Sequence, residues 1–433
     1  MKADRRRFLS MWAAAVALAH TSVESVETRR LRMQQSVWPS TFPALGQRVN
    51  GHPLTYLDSA ATTLRPQTVI DAIASYYAAD NANPSRAHTL ARRAADRLSA
   101  AREAVARFIN AADPAEIVFV RGTTEGINLV ASTWGTSNLK RRDEVVLTVA
   151  EHASNLMPWT RAARQSDANV RMLDVDDEGQ LPLDELKKIL SDRTKVVAFS
   201  HVSNVLGFVN PVKEICALAR QAGALTVVDG AQGAPHVRID VQDLGCDFYV
   251  FSGHKMLGPM ATGVVWGRRD RLDAIPPYHV GSNMAHAVDF ERAEYEQGAL
   301  KFQAGTPDVA GPVGLAAAVQ FFETAGHERL RRHDQDLVEY GLARLAEIPR
   351  LRIIGSKRPA QRVPVFTFVI DGHSAASIAR ALDARGIAIR AGDMAALPLL
   401  KRFGATEAAR ASAYVYSTRH DLDRLADALR NVR

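Results

Sequence analysis

Several segments of this sequence place chemically active residue types at the ends of apolar runs that are typical of buried strands. The stretch GTTEG at 122–126 combines glycines and hydroxyls at the predicted start of a helix. Asp229 ends the run LTVVD, and Lys255 closely follows the run FYVF. A lysine in such a place is costly, because loss of hydration disfavours the ammonium form and lowers its pKa. Each feature alone has an ordinary structural explanation, such as a helix cap.

Together these residue types match the requirements of one cofactor. A desolvated lysine amine forms a Schiff base with an aldehyde, and a buried carboxylate keeps a pyridine nitrogen protonated. Hydroxyls and free N–H groups at a helix N-terminus bind a phosphate. His152 follows the run EVVLTV and offers a flat side chain to cover the ring. The combination predicts pyridoxal 5′-phosphate as the cofactor.

The elements that must position these residues recur regularly between residues 117 and 267. Short apolar, β-branched runs are mostly separated by amphipathic helical stretches; they are IVFVR (117–121), EVVLTV (144–149), KVVAFS (195–200), LTVVD (225–229), FYVFS (248–252) and GVVWG (263–267). Continuous apolar strands favour a sheet covered on both faces, and the alternation predicts a doubly wound, mainly parallel α/β domain. Ligands of such sheets bind beyond the carboxyl ends of the strands, where the candidate residues lie.

The pattern changes near residue 310, where two helical stretches are followed by short strands, among them ASAYVYST (411–418), and by two further helices. This order predicts a smaller α+β domain at the C-terminus. We therefore expect four segments, namely a leader at 1–33, an N-terminal segment at 34–64 that packs with the small domain, a large cofactor-binding domain at 65–309 and a small C-terminal domain at 310–433.

Composition excludes several other classes of protein. The 433 residues are 47% hydrophobic and 23% charged, as in ordinary globular proteins. No apolar run reaches the roughly 18–20 residues that span a bilayer, so no integral membrane segment is expected. Residues 1–33 hold seven basic and three acidic residues and so carry +4 of the net charge of +7. The rest of the chain is therefore nearly balanced in charge, and no nucleic-acid partner is expected. The two cysteines, Cys216 and Cys246, lack metal-ligand spacing, so no metal is expected either.

The N-terminus has the features of an export signal. RRRFL at 5–9 precedes an apolar stretch at 11–19 that ends in an A-x-A pattern, as in twin-arginine signals. This pattern predicts a periplasmic protein. The alternative is that translation starts at Met33, in which case the protein is cytoplasmic.

The sequence resembles the class V aminotransferases, a family of fold-type I pyridoxal phosphate enzymes, and most of all their cysteine desulfurase branch of the sulfur-mobilising type. The resemblance extends from about residue 42 to the C-terminus. The matching stretches are YLDSAAT (56–62), FVRGTTEGINLVA (119–131), HVSNVLG (201–207), VVDGAQ (227–232), CDFYVFSGHKMLGP (246–259), FQAGTP (302–307) and RAS (410–412).

This resemblance implies roles for individual residues. Lys255 would form the Schiff base and shuttle protons, Asp229 would bind the pyridine nitrogen, and His152 would stack on the ring. The other cofactor ligands would be Gln232 at the phenolic oxygen and Thr123, Thr124, Ser252, His254 and, from a second subunit, Thr306 at the phosphate. The α-carboxylate of an amino-acid substrate would be bound by Asn204, Arg390 and Arg410. Family members are homodimers with the active site at the interface, so a homodimer is expected.

The sequence departs from the desulfurase pattern at one decisive position. Members of that branch carry a cysteine in a flexible loop written roughly Arg-x-Gly-His-His-Cys-Ala, whereas residues 390–398 read RAGDMAALP, with Ala395 at the thiolate position. Alanine cannot attack the substrate sulfur and carry it as a persulfide. We therefore expect C–S lyase or aminotransferase chemistry. The alternatives are a desulfurase that uses another thiol, an amino-acid epimerase similar to isopenicillin N epimerase, and a non-catalytic scaffold.

Overall fold

The computed structural model describes residues 38–432 of the chain, so the leader expected at 1–33 lies outside the described residues. The strands are β1 (Arg48–Val49), β2 (His52–Pro53), β3 (Thr55–Tyr56), β4 (Ile117–Val120), β5 (Glu144–Thr148), β6 (Asn169–Leu173), β7 (Thr194–Ser200), β8 (Leu225–Asp229), β9 (Phe248–Ser252), β10 (Gly263–Gly267), β11 (Ala285–Val288), β12 (Ala293–Tyr295), β13 (Leu351–Ile353), β14 (Val365–Ile370), β15 (Ile387–Ala388), β16 (Arg390–Gly392) and β17 (Ala408–Ser412).

The helices alternate with these strands through the first part of the described chain. They are α1 (Gln67–Ala79), α2 (Thr89–Phe108), α3 (Thr123–Val130), α4 (Thr136–Asn138), α5 (Ala153–Gln165), α6 (Leu183–Ile189), α7 (Val212–Gln221), α8 (Val241–Leu244), α9 (Arg269–Ala274), α10 (Ala310–Ala325), α11 (His327–Ala346), α12 (Ala375–Asp383), α13 (Leu397–Arg402) and α14 (Arg419–Arg430). Between residues 38 and 432, no helix combines the length and apolarity needed to cross a membrane.

A seven-stranded sheet forms the centre of the large domain, with the strand order β4-β10-β9-β8-β7-β5-β6. The pairs from β9 through β8, β7 and β5 to β6 are parallel. Strand β10 alone runs antiparallel to both of its neighbours, β9 and β4. The other six strands therefore point the same way, and the predicted α/β architecture with a mainly parallel sheet is confirmed.

Both faces of this sheet are buried, which explains why its central strands are continuously apolar. In β8, Val227 belongs to the hydrophobic cluster on one face and Val228 to the cluster on the other. In β9, Val250 and Phe251 divide between the same two clusters. This alternation is the two-residue period of a strand, with helices covering each side.

Two details of the sheet differ from the sequence prediction. Edge strand β6 was not predicted, because its residues are mostly exposed or half-buried and it has no continuous apolar run. Strand β10 was predicted as part of the parallel alternation but runs antiparallel. The segment 253–262 that joins it to β9 is too short for a helical crossover, so the chain must turn straight back.

The C-terminal part of the chain forms a smaller antiparallel sheet of order β13-β14-β17-β16. The run ASAYVYST, predicted as a strand, is extended only to Ser412, and its remainder turns where Tyr414 accepts a hydrogen bond from the backbone of Ser417 at 2.8 Å. The N-terminal segment joins this region, because β3 pairs in parallel with β15 and Asp58 forms a β-bridge with Ser412.

Candidate active site

A cavity of about 470 Å³ lies at the carboxyl ends of the large sheet's parallel strands. Apart from Thr306, every residue predicted from the sequence to form the site lines it; these residues are Thr123, Thr124, His152, Asn204, Asp229, Gln232, Ser252, His254, Lys255, Arg390 and Arg410. Thr306 is exposed and lies outside the lining of this cavity. A larger cavity of about 630 Å³ elsewhere in the described chain contains none of the predicted site residues.

Lys255 and Asp229 form an oppositely charged pair of groups within this cavity. Burial lowers the pKa of Lys255, Asp229 partly opposes this and the charge of Arg410 adds to it, so that the pKa is about 8. Burial also raises the pKa of Asp229, while Lys255 and the N–H of Ala231, which Oδ1 accepts at 2.9 Å, lower it. A carboxylate buried in this way is suited to binding a second, cationic partner.

A hydroxyl-rich cradle lies at one end of the cavity, where α3 begins. The backbone N–H and the hydroxyl of Thr123 lie 2.8 and 2.7 Å from Ser252 Oγ. The hydroxyl of Thr124 lies 2.8 Å from that of Ser154 in the first turn of α5. Two helix N-termini and these hydroxyls therefore converge, and such a set of donors favours a phosphate.

Both candidate histidines of the cavity are neutral at physiological pH. Burial, and to a smaller extent the charge of Lys255, lower the pKa of both His152 and His254 to about 4. Nδ1 of His152 accepts the N–H of Ser154 at 3.1 Å and so caps α5. The proton of the neutral ring is therefore on Nε2, so His152 can act as a donor through that nitrogen.

Two predicted ligands also make contacts within the chain. Gln232 donates from Nε2 to the carbonyl of Ala60 at 2.6 Å. Asn204 donates from Nδ2 to the carbonyl of Met394 at 2.9 Å, so it holds the loop after β16. Their roles toward cofactor and substrate remain predictions.

Ser154 lines the cavity and Asp58 contacts two arginines that line it, although neither residue was predicted to have a role. Ser154 lies two residues after His152, in a stretch whose residue types indicate the start of a helix. That signal could have identified it. Asp58 pairs with Arg390 at 2.8 Å and with Arg410 at 3.5 Å. Its motif, YLDSAAT, was recognised, but no local pattern connects residue 58 with arginines that lie more than 300 positions away.

The residues present fit pyridoxal 5′-phosphate. The cradle around α3 would hold the phosphate, Asp229 would meet the protonated pyridine nitrogen, and Lys255 supplies an amine. Gly122 keeps the cradle open, because its φ of +149° suits glycine and an added Cβ would lie 3.2 Å from Ser252 Oγ.

Replacing Gly122 with alanine should therefore weaken cofactor affinity about tenfold, because the new methyl displaces the Ser252 hydroxyl. Gly223→Ala is the matched control, since Gly223 also has a positive φ, +72°, but an added Cβ would meet nothing within 4 Å. Both variants should lose about 1–2 kcal/mol of unfolding free energy, because alanine is strained at a positive φ. Titration of apo-protein with the cofactor, followed by fluorescence, distinguishes them; equal affinities would argue against the cradle.

The lowered pKa of Lys255 predicts a pH dependence. Because only the unprotonated amine reacts, the rate of covalent cofactor attachment to apo-protein should rise with pH and level off above about pH 8. With an unperturbed lysine, the rate of attachment would still be rising near the ordinary lysine pKa of about 10.4. Stopped-flow absorbance across this range measures the profile.

The sequence and the fold are similar to those of known proteins, and these similarities show the family to which the chain belongs. A cysteine desulfurase of Synechococcus elongatus is 47% identical over 393 residues, which cover 90% of this chain and 62% of that relative. A probable cysteine desulfurase of Halalkalibacterium halodurans is 44% identical over 393 residues, covering 90% of this chain and 96% of that relative. The crystal structure of the cysteine desulfurase CsdA of Escherichia coli has a TM-score of 0.84 and 36% identity, covering 90% of this chain and 96% of that one.

The chain thus spans less than two thirds of the Synechococcus relative but nearly all of the Halalkalibacterium relative. The family model "Aminotransferase class-V" matches residues 55–425. Since this match includes both sheets and all the lining residues of the cavity, the protein is an enzyme of the class-V aminotransferase family.

Proposed function

We propose that this enzyme acts on an α-amino acid without forming an enzyme-bound persulfide, by C–S lyase or aminotransferase chemistry. Its cofactor is pyridoxal 5′-phosphate, which enzymes of this family use and which the cavity residues fit. The relatives named cysteine desulfurase make L-cysteine the first substrate to test.

The position of the two cysteines carries the proposal. Cys216 and Cys246 are the only cysteines in the sequence, and each residue is 1% exposed. Burial raises the pKa of Cys216 to about 12 and that of Cys246 well above its usual range. Cys246 precedes β9 at the amino edge of the sheet, whereas Lys255 follows its carboxyl end. Neither thiol is therefore available in the cavity as a thiolate.

The loop after β16 supports the same conclusion. The carbonyl of Ala395 accepts the N–H of Ala153 at 2.7 Å, and the carbonyl of Met394 accepts the amide of Asn204. Met394 and Ala395 both have left-handed backbone, with φ of 53° and 52°. The loop thus forms a fixed wall of the cavity, with a methyl group at the position expected to carry the thiol.

The remaining lining residues are suited to proton transfer at the substrate's α-carbon. The bound cofactor would supply an electron-withdrawing ring that favours loss of a substituent from this carbon. Lys255 Nζ would take the α-proton, since a base with a pKa of about 8 works near neutral pH. Arg410 and Arg390 would orient the α-carboxylate, and Nε2 of His152 would donate a hydrogen bond from the cavity wall.

Incubation of the holoenzyme with L-cysteine tests the proposal. A lyase releases sulfide, pyruvate and ammonia, whereas an aminotransferase makes a keto acid without sulfide and only when a second keto acid is supplied. The double variant Cys216→Ala/Cys246→Ala should give the same products at a similar rate, because neither thiol takes part. Alanine formation together with an alkylatable sulfur on Cys246 would contradict the proposal, and loss of chirality alone would identify an epimerase.

We further propose a homodimer. Val288 in β11 is 72% exposed, and Phe290 in the turn that follows is fully exposed. Such apolar side chains at the tip of a hairpin are typical of interfaces. Thr306 is exposed and outside its own chain's cavity, as a ligand contributed to a second subunit would be. Analytical ultracentrifugation should give twice the mass of one chain; a monomer would argue against a shared site.

We also propose export by the twin-arginine route, on the sequence pattern at 5–19 alone. N-terminal sequencing of the mature protein tests it. A start near His20 supports removal of a signal, whereas a start at Met33 supports a cytoplasmic protein.

A further inference from the structure

We infer that Asp58 is a positioning residue for the substrate's α-carboxylate, because it sets the orientation and the combined charge of Arg390 and Arg410. The inference rests on the proposed function, in which these arginines bind an α-amino acid. It assigns a purpose to a residue of the N-terminal segment that does not itself line the cavity.

Asp58 holds Arg390 with two contacts. Its Oδ2 accepts from Nη2 of Arg390 at 2.8 Å and its Oδ1 from Nε at 3.3 Å, which is the parallel geometry of an arginine–carboxylate pair. Oδ1 also lies 3.5 Å from Nη2 of Arg410. The β-bridge between Asp58 and Ser412 fixes this carboxylate against the small sheet.

The two arginines need such a group, because they lie directly opposite each other on β16 and β17. Like charges at facing positions of neighbouring strands repel. Burial lowers the pKa of Arg410 to about 10, Asp58 raises it and Arg390 lowers it. Arg390 is the freer of the two, with 48% of its side chain exposed against 4% for Arg410. Without Asp58, Arg390 would turn outward to solvent.

The contacts also define which donors remain for a substrate. Asp58 occupies the Nε–Nη2 edge of Arg390, and Nη1 of Arg410 donates to the carbonyl of Asn204 at 3.0 Å. Nη1 of Arg390 is left free of protein hydrogen bonds within the described chain. Two guanidinium groups and one carboxylate carry a net charge of +1, which matches a single α-carboxylate.

A pair of probes isolates this function. L-Alanine and ethylamine both present an amine, but only L-alanine presents a carboxylate. Dissociation constants follow from the change each causes in the absorbance of the holoenzyme. In Asp58→Asn, we expect the constant for L-alanine to rise about tenfold, because Arg390 loses its orientation, while that for ethylamine stays unchanged. Asp58→Glu keeps the charge and should recover part of the loss.

Asp80→Asn is the matched control. Asp80 is likewise a carboxylate between two arginines, Arg97 at 3.0 Å and Arg93 at 3.8 Å, but it lies outside the cavity lining. The variant Asp80→Asn should leave the dissociation constants for L-alanine and ethylamine unchanged. In an Arg390→Gln background, Asp58→Asn should cause less than about a twofold further loss, because its main partner is already gone.

The outcomes separate this inference from the proposed function. If Asp58→Asn weakens the binding of L-alanine and ethylamine equally, or leaves the dissociation constant of L-alanine unchanged, the inference is wrong and the proposed function stands. A wild-type spectrum that no amino acid alters would overturn the proposed function and this inference with it.

Discussion

Lys255→Ala should abolish covalent attachment of the cofactor and lower turnover by at least about 10³-fold. In the proposed function, the amine at this position bonds the cofactor and also takes the substrate's proton, so one substitution would remove both functions. The wild-type protein should be yellow, with a band at roughly 410–430 nm that borohydride fixes to the protein, as a lysine adduct requires. The variant should release all of its cofactor on denaturation after the same treatment.

Lys301→Ala is the control for the loss of a buried lysine. Lys301 is 6% exposed, burial lowers its pKa, and its Nζ donates to the carbonyl of Asp273 at 3.0 Å, outside the cavity lining. Its removal should leave colour and turnover intact, although the protein becomes less stable. Borohydride-fixed cofactor in Lys255→Ala would contradict the assignment. A wild-type protein that stays colourless with the cofactor would leave the non-catalytic scaffold as the better hypothesis.

Asp229→Asn should lower turnover by about 10²–10³-fold while the cofactor still binds. Asparagine has the shape of aspartate and its Oδ1 can still accept the N–H of Ala231, so the change removes little but the charge. Without that charge, the site no longer favours a protonated pyridine nitrogen. Asp229 also raises the pKa of Lys255, so in the variant that pKa should fall below about 8.

Two measurements check the Asp229 prediction. Turnover with the best amino acid gives the size of the loss, and the pH profile of cofactor attachment should level off at a lower pH than in the wild type. Asp247→Asn is the control, because Asp247 is a buried carboxylate at the amino edge of the same sheet, where it accepts from Thr226 at 2.9 Å and pairs with Arg271 at 2.9 Å. A pH profile that is unchanged in Asp229→Asn would show that the two groups are not coupled.

Much of the fold followed from local patterns. The central strands were predicted because both of their faces are buried, so each reads as a continuous apolar run. Strand β6 was not predicted, because an edge strand with one exposed face lacks a continuous apolar run. The direction of β10 was predicted wrongly because the parallel alternation was extended across residues 253–262, although this segment is too short for a helical crossover.

The candidate cofactor residues were also predictable, for a related reason. Asp229, Ser252 and Lys255 each end or closely follow an apolar strand, and parallel strands bring their carboxyl ends to one edge. The structure places them in one cavity. The individual roles of these residues and of Thr306 remain predictions.

By itself, the sequence determined the family, the cofactor and the absence of a cysteine at position 395, since these depend on residue types within short segments. Only the tertiary structure decided that both thiols are buried away from the cavity, that Asn204 holds the loop after β16, and that Asp58 lies between two arginines. These are contacts between segments distant in the chain. They arise only when those segments pack together, and no local pattern of residues encodes such contacts.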